Sequence, residues 1–275
     1  MNSSKVSIIM GVYNCAKTLD EAIQSILCQT YNNWELIMCD DGSIDDTYNV
    51  AEKYVKQNPD RIVLLRNESN QGLNYTLNKC LYVATGDYIA RMDGDDISLP
   101  TRLEKEMNFL IKNPEYALVS TPMIMFDENG DWGQTSVIQH PTVNDFCTHT
   151  PFFCHAACII KKSVFLEVEG YTVDKKLLRV EDCHLWFKIY SKGYKGANLT
   201  EPLYKMRDDR NATNRRGFKA RLNGCYVLYA GFRMVGMPWY KYIYVLRNTI
   251  IEIGKCIVPI SIYEYVHKRK FRRGR

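Results

Sequence analysis

The stretch YIARMDGDD, residues 88–96, decides the fold. An apolar run of strand length stops abruptly at Asp93-Gly94-Asp95-Asp96. Near-continuous apolar strands belong to parallel sheets covered on both faces. Ligands of such sheets bind beyond the carboxyl ends of the strands. Three carboxylates within four residues repel one another, and crowding them costs free energy unless a cation offsets the charge. Hard oxygen ligands of this kind suit Mg2+ or Mn2+, with substrate phosphates completing the shell. The competing reading is a solvated turn whose aspartates cap the following helix.

Working outward, the same pattern repeats. Residues 6–10 form a short apolar run ending in Gly11, residues 34–39 a second run ending at Asp40-Asp41-Gly42-Ser43, and residues 62–66 a third. Between them, Leu19, Ala22, Ile23, Ile26 and Leu27 recur at helical spacing, so residues 18–29 read as a helix packed on one face. Further helices are expected from Asp45 or Asp46 to about Gln57, over residues 73–84, and from Pro100 to about Lys112. Alternating strand and helix implies an α/β fold with a mostly parallel central sheet and helices on both faces. The second half is more mixed. Strands are expected at 117–126, 156–160 and, on an edge, 201–205; helices are expected at 164–168, 182–191 and 218–231. The soft boundary lies at 210–217.

Composition narrows the classes. The hydrophobic fraction of 46% is ordinary for a globular protein, and 275 residues allow one large α/β domain with extensions. The net charge of +5 is uneven, because residues 241–275 hold nine Lys/Arg against two acids. The rest of the chain is near neutral, which argues against a nucleic-acid binder. Ten cysteines without a CxxC spacing, and no signal-like opening, point to a reducing cytosol. The most membrane-like segment, 242–266, is interrupted by Arg247, Glu252, Lys255, Glu264 and Pro259, so it reads as lying on a membrane or on the body.

Other strand ends carry chemistry too. One carboxylate of Asp40-Asp41 can accept hydrogen bonds from a ribose or a base, with a turn and helix cap as the plain alternative. Tyr13, after Gly11-Val12, offers a face for stacking, or closes the top of the core. Asn70-Gln71-Gly72 reads as a turn, and His155 as a core histidine. Asp182, at the start of an apolar helix, is either its N-cap or a base for an acceptor hydroxyl.

In sequence, SIIMGVYN (7–14), SILCQTYNNWELIMCDDGSIDDT (25–47), NQGLNYTLNKCLYVATGDYIARMDGDD (70–96), PTRLEKE (100–106) and VEDCHLWFKI (180–189) resemble glycosyltransferase family 2, over about residues 5–205. The resemblance implies a GT-A (Rossmann-like) fold with a C-terminal helical extension and a metal-dependent, inverting transfer from a nucleotide sugar. Residues 1–100 would be the nucleotide-sugar half, 101–215 the acceptor half and 216–275 a basic extension. Tyr13 would stack on the base, Asp41 bind it, and Gly72 lie in the loop beside it. Asp93 and Asp95 match the DxD motif that holds Mn2+ or Mg2+, Asp93 also facing the donor. Asp182 matches the general base. Arg102 and His155 match recurrent positions without a fixed role. Gly11 stands where Pro or Thr is common.

The implied donor is a nucleoside-diphosphate sugar, UDP-linked by the resemblance, and the acceptor is a saccharide or a polyprenyl-linked saccharide. The tail 268–275, with six basic residues in eight, would meet an anionic membrane at its inner face. A nucleotidyltransferase, or a catalytically weak partner subunit of a membrane complex, stands as the alternative. The first expects a Gly-rich basic loop after strand one, which 11–18 lacks, and the second expects lost acids.

Overall fold

The computed structural model describes residues 4–148, 152–208 and 218–255. In chain order the elements are β1 (Val6–Val12), α1 (Ala16–Leu27), β2 (Trp34–Asp40), α2 (Thr47–Gln57), β3 (Ile62–Arg66), α3 (Leu73–Val83), β4 (Tyr88–Arg91), β5 (Ile97–Ser98) and α4 (Arg102–Lys112). There follow β6 (Tyr116–Ser120), β7 (Met123–Asp127), β8 (Gly130–Gln134), β9 (Ile159–Lys161), α5 (Lys162–Glu167), α6 (Glu181–Ser191), β10 (Lys195–Asn198), β11 (Tyr204–Arg207), α7 (Phe218–Met234) and α8 (Tyr242–Lys255).

The apolar runs of the first half pair side by side: β1, β2 and β4 are buried almost throughout, and β3, at the edge, buries Ile62. They build a seven-stranded sheet in the order β10-β6-β9-β4-β1-β2-β3. All of its pairings are parallel except those of β9, which runs antiparallel between β4 and β6. Ile8, Met10 and Leu36 face a core with Leu19, Ile23 and Ile26 of α1 and Leu103 and Met107 of α4. Ile9 and Ile37 face the other core, with Leu77 of α3 and Trp186 and Phe187 of α6. Each such side chain contributes about 1.5–3 kcal/mol on burial. The α/β architecture with a mostly parallel sheet is therefore as expected.

The second half departs from its sequence reading in three places. The single strand expected at 117–126 breaks at Thr121-Pro122 into β6 of the large sheet and β7 of a small one, ordered β5-β11-β7-β8. Pro122 has no N–H for a ladder, and the Thr121 hydroxyl takes the Leu203 N–H instead, at 3.1 Å. The strand expected at 156–160 begins as a 3-10 turn, His155–Ala157, before β9. The expected edge strand is β11, which lies inside the small sheet between β5 and β7.

The α7 helix continues through Gly231 to Met234. Gly231 is a contact point: a Cβ there would meet the Phe187 ring at 2.1 Å, so only glycine lets α7 lie this close to α6. The 210–217 boundary and the 268–275 run lie outside the described residues. Among those described, no helix is long and apolar enough to cross a membrane.

Candidate active site

The carboxyl ends of β1, β2 and β4 share one edge, since Val12 aligns with Asp40 and Ile9 with Arg91. The loops beyond them are tied together. The Asn14 N–H donates to Ser43 Oγ (3.0 Å), and the Ile44 N–H to Asn14 Oδ1 (3.0 Å). Asn14 holds φ at 49°, which asparagine tolerates, and Tyr13 beside it is 47% exposed. Gly94 presses on the same corner: a Cβ there would meet Cys15 Sγ at 3.0 Å and Val12 at 3.1 Å.

Asp41 is buried, and its carboxylate is satisfied by the loop after β3. It accepts from the Gln71 N–H (2.8 Å), the Gly72 N–H (2.9 Å) and the Asn67 side-chain amide (2.8 Å). Asp40, fully buried, accepts the Ser43 N–H (3.2 Å) and pairs with Arg66 at 3.3 Å. Gly42 makes this closeness possible. Its φ is +72°, and a Cβ would lie 2.7 Å from Ser69 Cα. Neither Asp45 nor Asp46 opens α2 as its first residue. Asp45 accepts the Thr47 N–H (3.1 Å), whereas Asp46 holds the N-cap position without a side-chain cap.

Asp93, Asp95 and Asp96 carry oxygens that all lie within 4.8 Å of one another. Asp96 is 2% exposed, and its carboxyl is pushed well above the usual range by burial, then by Asp93 and Asp95. The cluster is thus short of positive charge. One cation answers it from inside: Arg91, the last residue of β4 and 3% exposed, pairs with Asp93. From β11, the Arg207 backbone N–H donates to Asp96 Oδ1 (2.8 Å), while its guanidinium donates to the Asp95 carbonyl (3.0 Å) and pairs with Glu21. These hard carboxylate oxygens at such spacing fit a divalent cation.

Arg91 leads across to α6. Its charge acts on Tyr171, as do those of Glu181 and Asp182, and Tyr171 is 3% exposed. The Tyr171 hydroxyl and His155 Nε2 are hydrogen-bonded at 2.6 Å. Burial, then Arg91, holds the His155 ring well below its usual range, so it is neutral. Glu181 is pushed up to about 7 by burial, then by Asp182. The α6 helix begins at Glu181 with Val180 as its N-cap, so Asp182 is in the first turn and accepts the Cys183 N–H (2.7 Å). The Arg102 guanidinium, fully buried, donates from Nη1 to the carbonyls of Arg91 and Ala156, each at 3.1 Å. It ties the acidic strand to the His155 turn.

The loops that carry Tyr13, Asp41, Gly72, Asp93 and Asp95 thus gather at one sheet edge, Asp182 stands in the first turn of α6, and the Arg102 guanidinium ties β4 to the His155 turn. Sequence reasoning missed Arg91, Tyr171, Arg207 and Tyr204, whose hydroxyl accepts the Asp93 N–H at 3.2 Å. Arg91 had a signal, a lone cation inside an apolar run. Tyr171 follows Gly170 in a stretch without periodicity and had none.

With this geometry in view, comparison with known proteins is specific. The model of "Glycosyl transferase family 2" matches residues 7–168. The chain is 42% identical over 271 residues to "Putative glycosyltransferase EpsE" of Bacillus subtilis (strain 168), covering 98% of this chain and 96% of that protein. It is 32% identical over 204 residues to the Escherichia coli "UDP-Glc:alpha-D-GlcNAc-diphosphoundecaprenol beta-1,3-glucosyltransferase WfaP", covering 73% and 77%. Among solved structures, the mannosyltransferase PcManGT from Pyrobaculum calidifontis, in complex with GDP-Man and Mn2+, superposes with a TM-score of 0.66. It is 17% identical and covers 98% of this chain and 83% of its own, a likeness of fold.

Proposed function

The chain belongs to glycosyl transferase family 2, and on that premise we propose that it is an inverting, metal-dependent hexosyl- or N-acetylhexosaminyltransferase of polysaccharide or glycoconjugate biosynthesis. The donor is a nucleoside-diphosphate sugar, read as UDP-linked. The acceptor is a hydroxyl of a saccharide or lipid-linked saccharide, at the cytoplasmic face of a membrane. The name of the WfaP relative, which carries both UDP-Glc and a diphosphoundecaprenol acceptor, supports both choices. The observation that supports the reading is the cluster of Asp93, Asp95 and Asp96 beyond β4, with Arg91 paired to Asp93.

In this scheme residues 1–100 bind the donor, 101–215 receive the acceptor and 216–275 form the extension, its basic run 268–275 toward anionic headgroups. Tyr13 stacks on the base. Asp41 and Gly72 act there as one unit, since the carboxylate already holds the Gly72 N–H. Asp95 and Asp93, with Asp96 beside them, would hold Mn2+ or Mg2+, which when bound would supply counter-charge to the leaving diphosphate. Asp182 accepts the proton of the acceptor hydroxyl. That oxygen bonds to the anomeric carbon on the face opposite the diphosphate, whose C–O bond breaks, so configuration inverts.

A panel of UDP-, GDP- and dTDP-sugars with Mn2+, Mg2+ or EDTA tests the reading. Metal-dependent release of one nucleoside diphosphate is expected. Binding of no donor under any condition would overturn it.

A further inference from the structure

We propose that α8 is a docking surface for a lipid bilayer with anionic headgroups, seated through an apolar stripe on its outer face. One face of α8 is accounted for, because Tyr242, Tyr244 and Val245 pack on the core. The opposite face should then be polar in an ordinary surface helix. Instead, Ile243, Leu246, Ile250 and Ile253 follow one another at helical spacing and are 60%, 55%, 62% and 45% exposed. Trp239, 84% exposed, stands just before the helix. A contiguous apolar stripe of this kind marks an interaction site.

Charge selects the occupant. Arg247 is exposed on the same helix, and residues 241–275 hold nine Lys/Arg against two acids. A second copy of the chain would set that positive charge against itself, whereas anionic headgroups complement it. Among the described residues no helix is long and apolar enough to cross a membrane, and the described part of α8 carries one apolar face outward, as a helix lying in the interface does.

The surface also has a mechanical link to the site, and this step rests on the transferase reading above. Arg221 of α7 pairs with Glu252 of α8 at 2.9 Å. On α7, the buried Asn223 amide donates to the Leu178 carbonyl (3.1 Å), just upstream of Asp182. Docking α8 on lipid therefore sets the bilayer beside the segment that positions Asp182, where a lipid-borne acceptor would arrive.

The test is flotation of the full chain with phosphatidylcholine vesicles, with and without phosphatidylglycerol. The wild type floats with the phosphatidylglycerol vesicles. The double variant Leu246→Asp/Ile250→Asp loses about a hundredfold in vesicle affinity, with melting temperature and donor binding unchanged. Ile111→Asp, an exposed apolar control on α4, floats like the wild type. Undiminished flotation of the double variant overturns the proposal. So does a lipid-free wild-type dimer that the double variant dissolves, which makes the occupant a second copy. Quenching of Trp239 by brominated-chain phosphatidylglycerol, read against Trp239→Phe, decides the matter if the double variant fails to fold. Vesicle binding needs neither donor nor acceptor, so its failure is separate from failure of the transferase reading.

Discussion

Two acidic loops leave the large sheet at the same edge, and in sequence they look alike. DDGS after β2 and DGDD after β4 each crowd aspartates around a glycine. In the fold they are opposites. Asp41 has its oxygens filled by the Gln71 and Gly72 N–H groups and the Asn67 amide. Asp93, Asp95 and Asp96 share their oxygens within 4.8 Å, and burial together with mutual repulsion drives Asp96 toward its protonated form. The first loop is complete without a ligand. The second keeps its carboxyl groups crowded, and a cation that binds there gains what the crowding costs. An acid that the chain satisfies shapes a site, and an acid that the chain leaves crowded recruits something to it.

Removing one crowded acid is the largest test. Asp95→Asn should lower transfer by about a thousandfold. Without metal it should melt no lower than the wild type, since a repulsion is relieved. Mn2+ should raise the wild-type melting temperature by mass action and leave the variant's unchanged. If metal-free Asp95→Asn melts well below the wild type, the cluster is structural and the contrast fails.

The matching change in the first loop should act the other way. Asp41→Ala leaves three buried or half-buried donors without an acceptor, at a cost of about 2–4 kcal/mol. Urea unfolding should show the loss with metal present or absent, and the donor KM should rise as the 67–72 loop loosens. Gly42→Ala tests the same closure more gently. Its left-handed backbone and the 2.7 Å approach to Ser69 put the cost at about 1–3 kcal/mol. An unchanged unfolding midpoint would mean that the 40–43 and 67–72 loops do not touch in solution.

The contrast was not legible in the sequence, although its ingredients were. The runs of β1, β2 and β4 could be read because strands buried on both faces stay apolar end to end, and each stops where its chemistry begins. The acids of DGDD and the start of α6 could be read for the same reason. What satisfies Asp41, however, comes from Asn67, Gln71 and Gly72, about thirty residues away, and a string of letters carries no such pairing. Arg91 could have been noticed as a cation stranded in YIARM, but its partner Asp93 is named only by the fold. The break at Pro122 was readable from the missing N–H. The place of β11 inside the small sheet was not, because it depends on partners from two other regions.

The last test, and the smallest in effect, asks whether crowding extends from the acidic loop to the opening of α6. Glu181 is pushed up to about 7 by burial first and by Asp182 second, from an ordinary value of 4.5. Between those values the folded chain binds more protons than the unfolded chain. This contribution to stability is therefore complete below about 4.5 and is lost as pH rises through about 7. Glu181→Gln keeps the shape of the protonated group and cannot ionise. The melting temperature of the variant relative to the wild type should thus climb across that window and level off above it. Activity should respond too, because Glu181 adjoins Asp182, the proposed base: the negative charge that Glu181 gains through about pH 7 favours proton transfer toward Asp182, so wild-type transfer should rise there and Glu181→Gln should lose that limb of the profile. A variant whose melting and rate profiles run parallel to the wild type at every pH would show that Glu181 is solvated. The crowding would then end at the 93–96 loop.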